Sequence, residues 1–393
     1  MALNHANCGS ERHDSWCAAV AFTRTTPGSL GSQYSASFRA FAAYPHCVPV
    51  FHDPALRRSR SLSISLAGRQ KNKLFRRERN TMNATSTLTR HLTTASAALI
   101  SQNLSPDAIA RAVWTIVGEP GDTQAGELIH AVGAADALTL LCAGEETAAG
   151  MDLTNLRERV LPRVVDSAIV TAFTAAANVG AVLITPEHPH WPAGFADLGE
   201  SAPHALWARG NTALLVAQPS IAVVGARAAT GYGEHVCMDI VGGLVGRGHT
   251  IVSGAAYGID GMAHRAALAS DGHTVAYLAG GVDRFYPTGH DALLTRIATE
   301  GVVASEMACG AAPTKWRFLM RNRLIAAGSN ATLVVEAGWR SGSLNIAGHA
   351  AALGRPLGAV PGPVTSPSSA GCHRLIKEFG ARIITDVTDA AEL

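Results

Sequence analysis

The stretch from Ile221 to Ala267 constrains the fold of this chain most strongly, because it repeats the order strand, glycine turn, helix. Ile221–Val224 is short and uniformly apolar, which is typical of a strand in the middle of a parallel sheet. Gly225 ends that run and lets the backbone pass close to whatever lies above the turn. A helix is predicted from about 234 to 246, and Ile251–Val252 begins the next strand.

A second glycine turn follows this next strand. Ser253 and Gly254 end the strand, and Asp260 stands where it can cap the helix that comes after. Because parallel strands end at the same edge of a sheet, the two turns are predicted to lie side by side. Free backbone N–H groups and the positive ends of two helix dipoles would then point into one crevice. The pattern therefore predicts a site for a polyanion.

Composition favours a well-buried α/β body. Hydrophobic residues make up 47% of the 393 residues and charged residues only 16%, so there is room for two domains that each bury a core. No apolar run reaches the roughly 18 residues that a membrane span requires, and we expect no membrane partner. The seven cysteines form no C-x-x-C pair, which favours a reducing, cytoplasmic compartment without a structural zinc site.

The net charge of +2 is divided unevenly along the chain. Residues 1–80 carry 12 Lys or Arg and 4 Asp or Glu, so the remainder is mildly acidic, and any affinity for nucleic acid must come from a local patch. Three interpretations of residues 1–81 stay open. They are an Arg- and Ser-rich transit peptide, a disordered basic tail, or an upstream extension of the reading frame with Met82 as the true start.

Two folded domains are predicted after this extension. Residues 85–165 have helical periodicity, with Ser105 as a cap and Pro106 at the first helical position, and are expected to form a small helical domain. Residues 179–393 alternate strands with helices, which predicts an α/β domain with a doubly wound, mostly parallel sheet. Beyond the two strands above, this domain is expected to hold strands at 274–281, 301–307, 331–337, 356–362 and 381–385.

The segment Lys315–Arg323, KWRFLMRNR, has the most informative local composition. It contains four cations, no acid and two aromatic residues, Trp316 and Phe318. Aromatic faces for bases beside cations for phosphates are typical of proteins that hold single strands without sequence preference. An ordinary helix whose arginines pair with Glu306 and Glu336 is the alternative.

Other candidate residues each have a functional and a structural interpretation. Asp260 and His264 lie four apart on one helix face, either as a ligand-contacting pair or as a cap with its neighbour. Arg227 lies where a phosphate would dock, or forms a structural salt bridge. Tyr286 stacks on a base, or is an ordinary loop aromatic. The sequence contains no nucleophile elbow, zinc-protease motif, Walker lysine or spaced carboxylate set, so it predicts binding of a polyanion without catalysis, metal or cofactor.

Taken together, these motifs resemble the DNA-processing protein DprA (Smf) family. The matching pieces, in chain order, are GARAATGYG, SGAAYGIDGMAH, LAGGVDRFYP, SEM, RFLMRNRLIA, VVEA with RSGSL, and AVPGPVTSPSSAGCHRLI. The resemblance implies an extended Rossmann fold that binds single-stranded DNA at the glycine turns, forms a homodimer and helps to load RecA during natural transformation or recombination. The candidate DNA contacts are Gly225, Arg227, Ser253, Gly254, Asp260, His264, Tyr286, Arg321, Asn322, Arg323, Ser341 and Gly342.

Two positions depart from the family pattern, and one other function stays open. Ala255 stands where the family usually has a second glycine, and Asn345 where it usually has a threonine, so each could alter contacts in the pocket. The alternative function is that of a nucleoside-monophosphate phosphoribohydrolase, an enzyme class with a similar fold and with glycine turns around a phosphate. Those enzymes carry a P-G-G-x-G-T-x-x-E signature, and the nearest stretch here, EAGWRSGSL, lacks its glycines and glutamate.

Overall fold

A computed structural model describes residues 104–393 of the chain. The predictions for residues 1–81, and for the helical residues 85–103, lie outside the described residues. Among residues 104–393, no single helix is both long and apolar enough to cross a membrane, and two helix pairs reach that length only across bends of 109° and 66°.

Within residues 104–393, five α-helices precede the sheet. The first, α1 (Pro106–Val117), begins as predicted, because the Ser105 hydroxyl accepts a hydrogen bond from the backbone N–H of Ala108 at 3.1 Å and Pro106 occupies the first helical position. A ribbon of two short strands, β1 (Thr147–Ala148) and β2 (Met151–Asp152), interrupts the helices. The remaining helices are α2 (Thr123–Val132), α3 (Ala134–Ala143), α4 (Thr154–Val160) and α5 (Asp166–Asn178).

One sheet of nine strands forms the body of the described chain. Its strands are β3 (Val182–Ile184), β4 (Leu206–Gly210), β5 (Ser220–Gly225), β6 (Thr250–Ser253), β7 (Thr274–Tyr277), β8 (Val302–Ser305), β9 (Ala331–Glu336), β10 (Leu357–Ala359) and β11 (Arg382–Ile383). Their order is β11-β10-β9-β5-β6-β7-β8-β4-β3, parallel from β11 to β8 and antiparallel at β4 and β3. The predicted fold class, a doubly wound and mostly parallel Rossmann-like α/β sheet after a set of helices, is therefore confirmed.

Both faces of this sheet are buried, as the side chains of β5 illustrate. Because successive side chains of a strand point to opposite faces, a strand that is covered on both sides is apolar throughout. The helices that follow β5 are α6 (Gly231–Gly246), α7 (Ile259–Ala269), α8 (Asp291–Glu300), α9 (Lys315–Ala327), α10 (Ser343–Ala352), α11 (Ala370–Phe379) and α12 (Val387–Ala391). Ile221 and Val223 share a core with α6 and α7, whereas Ala222 and Val224 share one with α9 and α10.

The helical segment packs directly against the sheet. Helix α5 continues to Asn178, beyond the predicted domain end at 165, and its Phe173 ring lies edge-on to Trp207 of β4 with 5.6 Å between ring centroids. The Trp207 indole N–H donates to the Thr115 hydroxyl of α1 at 2.9 Å. One hydrophobic core runs from these helices into β4 and β8, so the helices and the sheet share a continuous interior.

A buried ion pair joins α9 to the residue that follows β8. Arg323 donates to both carboxylate oxygens of Glu306 at 2.6 Å, and it also donates to the carbonyl oxygens of Ser201 and Met320. Arg323 is 2% exposed and Glu306 is 7% exposed. The prediction that Arg323 contacts DNA is therefore wrong, because its guanidinium is bonded inside the protein, and for this residue the structural alternative, a pair with Glu306, is correct.

Replacing Arg323 with alanine is expected to lower the free energy of unfolding by about 3–5 kcal/mol, because the Glu306 carboxylate is left buried without a partner. Urea denaturation of the variant and the parent measures this loss. Arg296→Ala is the matched control, since Arg296 pairs with Glu300 where the side chains are 49% and 46% exposed. Little or no loss is expected there, because exposed ion pairs contribute little to stability, and equal losses would contradict the role of the buried pair.

Candidate nucleic-acid interface

The loops that follow β5, β6, β7 and β9 meet at the carboxyl edge of the sheet, where the first turns of α9 and α10 join them. Together they surround an open cleft of about 870 Å³. The parallel order β9-β5-β6-β7 produces this meeting, because neighbouring parallel strands release their loops at one edge. Eight of the predicted site residues line the cleft, namely Gly225, Arg227, Asp260, Tyr286, Arg321, Asn322, Ser341 and Gly342.

Asp260 connects the first two glycine turns. Its carboxylate accepts hydrogen bonds from the backbone N–H groups of Gly225 at 3.4 Å and Gly254 at 3.2 Å. It does not cap α7 as predicted, because it already lies in the first turn and the cap position is Gly258. The prediction that these glycine N–H groups are free for a ligand is also wrong, since an internal carboxylate occupies them.

Arg321 completes the same network. Its Nη1 atom donates to the carbonyl oxygens of Gly254 at 2.6 Å and Tyr277 at 2.7 Å, which connects the ends of β6 and β7. Burial raises the pKa of Asp260, and the Arg321 guanidinium is the foremost of the influences that oppose this rise. Burial lowers the pKa of Arg321 to about 10, and Asp260 opposes that shift in turn. Arg321 is therefore charged at neutral pH, and its charge favours the ionised form of Asp260.

Two glycines are required by this close packing. A Cβ atom on Gly254 would collide with the Arg321 guanidinium, so no larger residue fits without moving it. Gly258 has a left-handed φ of 72°, and a Cβ atom there would collide with the backbone carbonyls of Ala226 and Arg227. Contacts within the protein thus explain both glycines without a ligand.

Phe318 is the centre of an aromatic and cationic cluster in the cleft. The guanidinium carbons of Arg227 and Arg321 lie 5.3 and 5.6 Å from the centroid of the Phe318 ring, within the range of cation–π attraction. The Tyr286 ring lies 5.6 Å from the Phe318 ring, tilted by 59°, and Tyr286 is 49% exposed. The cluster offers an aromatic surface with a cation directly beside it.

Three cations of the cleft are available to an anion. Arg227, Lys315 and Arg340 line it and are exposed, and none of them pairs with an acid within residues 104–393. In the described part of the chain, the one carboxylate among the lining residues is Asp260, which is 5% exposed. Because unpaired cations outnumber a buried acid, the cleft attracts polyanions.

Three other predicted contacts lie outside the cleft. Ser253 is buried, and its hydroxyl donates to the carbonyl of Val223 at 2.7 Å. His264 is buried too; its Nδ1 atom lies 2.7 Å from the Thr274 hydroxyl, and burial lowers its pKa to about 3, so it is neutral at physiological pH. The predicted DNA contacts of Ser253 and His264 are wrong for this reason. Gly254 borders only a small adjoining pocket.

The structure shows what surrounds the two positions, Ala255 and Asn345, that depart from the family pattern. Ala255 has a φ of 53°, a left-handed conformation that glycine adopts without strain and alanine does not. The side-chain oxygen of Asn345 accepts a hydrogen bond from the Asn322 amide at 3.0 Å. The first departure therefore introduces strain beside the cleft, and the second contacts a residue that lines it.

Lys315, Phe318 and Arg340 line the cleft but are not in the list of candidate contacts, although Lys315 and Phe318 belong to the basic segment that is predicted to hold a strand. Helical spacing could have identified two of them. Lys315, Phe318 and Asn322 are three and four residues apart, so the first two share one face of α9 with Asn322, which is a predicted contact. Arg317 lies on another side and pairs with Glu119 at 3.0 Å. Arg340 opens the RSGSL piece of the family resemblance and lies in the loop after β9.

The family model described as DNA recombination-mediator protein A matches residues 182–393, more than half of the chain. The chain therefore belongs to this family, and the predicted resemblance is confirmed. A DprA protein of Mycobacterium tuberculosis is 46% identical over 300 residues, which cover 74% of this chain and 75% of that protein. A DNA processing protein DprA of Bacillus subtilis is 36% identical over 206 residues, covering 52% of this chain and 68% of that protein.

The solved structures include a close match in fold. DNA processing protein A from Streptococcus pneumoniae superposes with a TM-score of 0.61 at 30% sequence identity, covering 74% of this chain and 98% of that one. The match extends beyond the residues that the family model covers, since three quarters of this chain take part.

Changing Ala255 to glycine is expected to raise the free energy of unfolding by about 0.5–1 kcal/mol, because the relief of left-handed strain exceeds the added entropy of the unfolded chain. Thermal or urea denaturation measures the gain. Ala263→Gly is the control, since Ala263 lies in the interior of α7 and glycine there costs about 1 kcal/mol. Destabilisation by both changes would refute the strain at Ala255.

Proposed function

We propose that this protein binds single-stranded DNA in the cleft at the carboxyl edge of its sheet, as a recombination mediator without catalytic activity. The observation that carries the proposal is the cluster of Phe318 and Tyr286 next to unpaired cations. Bases stack on aromatic rings whatever their sequence, and cations hold the phosphates between them. A duplex keeps its bases stacked inside, so the rings favour single strands.

We assign the roles of the cleft residues from the exposure of their side chains. Arg227, Lys315 and Arg340 are exposed and are proposed as the phosphate contacts. Arg321 is 4% exposed and bonded to two carbonyl oxygens, so we assign it the role of holding the glycine turns and Phe318 in place. Asn322 and Ser341 supply polar groups beside these cations.

The wider biological role is also a proposal. Membership of a family described as recombination mediators supports delivery of the bound strand to RecA, in recombination or in natural transformation. We propose that the protein works as a homodimer through a face away from the cleft. A cytoplasmic location is consistent with the cysteines in residues 104–393, all of which are free thiols.

The phosphoribohydrolase alternative finds no support in the cleft. Hydrolysis needs an acid or base within reach of the substrate. Among the described residues, the only carboxylate in the lining is Asp260, whose oxygens accept hydrogen bonds from the backbone N–H groups of Gly225 and Gly254. A bound nucleotide would meet cations and aromatic rings, which hold it without transforming it.

The phosphate contacts are tested by the salt dependence of binding. Three contacts predict that the logarithm of affinity for a long oligo-dT falls against the logarithm of salt concentration with a slope of about −2, at roughly 0.7 per neutralised phosphate. Arg227→Ala, Lys315→Ala and Arg340→Ala are each expected to flatten that slope by about 0.7. Fluorescence anisotropy across a salt series measures it.

Arg247→Ala is the control for this series, because Arg247 lies at the end of α6 that is far from the cleft. The salt dependence of oligo-dT binding by this variant should have the same slope as that of the parent. Tight competition by AMP, together with salt-insensitive binding of the oligonucleotide, would overturn the proposal in favour of a mononucleotide site.

The homodimer is tested separately by sedimentation equilibrium. At micromolar concentration the protein is expected to have about twice the chain mass of 40.8 kDa, with or without oligo-dT, since the interface is proposed to lie away from the cleft. A mass of one chain throughout would contradict the dimer and leave the DNA-binding proposal standing.

A further inference from the structure

Two exposed aromatic side chains stand just outside the cleft, on opposite sides of the Arg227 turn. The strand order β9-β5-β6 places the loop with Trp339 after β9, the loop with Arg227 after β5 and the loop with Tyr257 after β6. Neighbouring strands lie roughly 4.8 Å apart, so the outer two loops are separated by about 10 Å across the sheet edge. Trp339 is 56% exposed and Tyr257 is 47% exposed.

Trp339 lies next to the cleft along the chain, and the Arg374 guanidinium contacts one face of its ring. Its two chain neighbours, Gly338 and Arg340, both line the cleft. The guanidinium carbon of Arg374 lies 5.1 Å from the centroid of the Trp339 ring, and Arg374 donates to Glu378 at 2.7 Å, which fixes the guanidinium in turn. A large ring that is ordered in advance loses little conformational entropy when a planar ligand stacks on it.

Tyr257 has a corresponding arrangement on the other side. Its chain neighbour Ala256 lines the cleft, and the following Gly258 packs against the backbone carbonyl of Arg227. The Tyr257 ring lies 4.9 Å from the His290 ring at 71°. His290 is 3% exposed and bonded to the backbone carbonyl of Ala255 at 3.1 Å, so it is a rigid support.

We propose that the bound strand crosses the sheet edge from the β9 side to the β6 side and stacks one base on Trp339 and another on Tyr257, outside the cleft. This inference rests on the proposed function, because it extends the path of the same strand. Arg227 lies on the loop between those that carry the two rings, and Arg340 follows Trp339 on the loop after β9, so the two aromatic faces flank cations that can hold the phosphates of the same strand. The exposure of both rings is explained by this use.

Neither Trp339 nor Tyr257 is among the residues that line the cleft, so the contribution of the two rings can be separated from that of the phosphate contacts by changing the ligand. Fluorescence anisotropy compares binding of an oligo-dT with binding of an abasic strand of the same length, which keeps every phosphate and lacks every base. Trp339→Ala and Tyr257→Ala are each expected to weaken oligo-dT binding by about five- to a hundredfold, and to leave abasic binding unchanged.

Conservative variants and a matched tryptophan sharpen the test. Trp339→Phe and Tyr257→Phe keep an aromatic face and should bind oligo-dT within about twofold of the parent. Trp316→Ala is the control, and no loss is expected. Trp316 is 53% exposed in the basic segment of α9, but it does not line the cleft and is not on the loops after β9, β5 or β6.

Three results would overturn the proposed path while leaving the proposed function intact. These are unchanged oligo-dT binding by both alanine variants, equal losses on the abasic strand, or an equal loss from Trp316→Ala. Failure of the parent protein to bind either strand would instead overturn the proposed function, and the path with it.

Discussion

A buried acid and a buried guanidinium hold the carboxyl edge of this sheet together. Asp260 accepts hydrogen bonds from backbone N–H groups at the ends of β5 and β6, and Arg321 donates to the carbonyl oxygens at the ends of β6 and β7. Three loops thereby become one unit. Removing either side chain would leave its buried backbone partners without their hydrogen bonds, at a cost of about 1–3 kcal/mol for each unsatisfied group. The positions of Arg227 and Phe318 depend on this network, since both lie against the segments that it fixes.

The hydrogen bonds at this edge also limit which backbone N–H groups an anion could reach. In nucleotide sites built on glycine turns, backbone N–H groups and helix dipoles receive the phosphate. Here the Asp260 carboxylate accepts hydrogen bonds from the backbone N–H groups of Gly225 and Gly254. Glu336 accepts from the N–H of Ala226 with its backbone carbonyl and from the N–H of Thr230 with its carboxylate. Under the proposed function, the phosphate contacts therefore fall to long, exposed side chains. Such contacts are individually weak and tolerant of position, which suits a polymer with many phosphates better than one mononucleotide.

Sequence patterns predicted the fold more completely than the site. Uniformly apolar strands such as Ile221–Val224, separated by glycine turns, left few alternatives to a doubly wound sheet, and Ser105 capped its helix as expected. The side-chain directions on α9 were harder to assign, because Arg321 and Arg323 carry the same charge as a phosphate contact but are bonded inside the protein. Which partner an arginine finds depends on strands far away in the sequence. The left-handed conformation of Ala255 likewise has no local signature, since alanine rarely adopts it.

Helix α9 shows why a basic segment is an incomplete guide to a nucleic-acid site. Of its four cations, Arg317 pairs with Glu119, Arg323 pairs with Glu306, and Arg321 binds carbonyl oxygens. These positions need arginine, because one guanidinium offers five donors in a fixed plane and satisfies several acceptors when buried. Lys315, a point charge on a flexible stem, stands at the open end of the helix with no acid partner among the described residues. The local charge of the segment thus overstates its phosphate contacts. The contact set proposed here is spread over α9 and the loops after β5 and β9, so the parallel order of the sheet assembles it rather than any one motif.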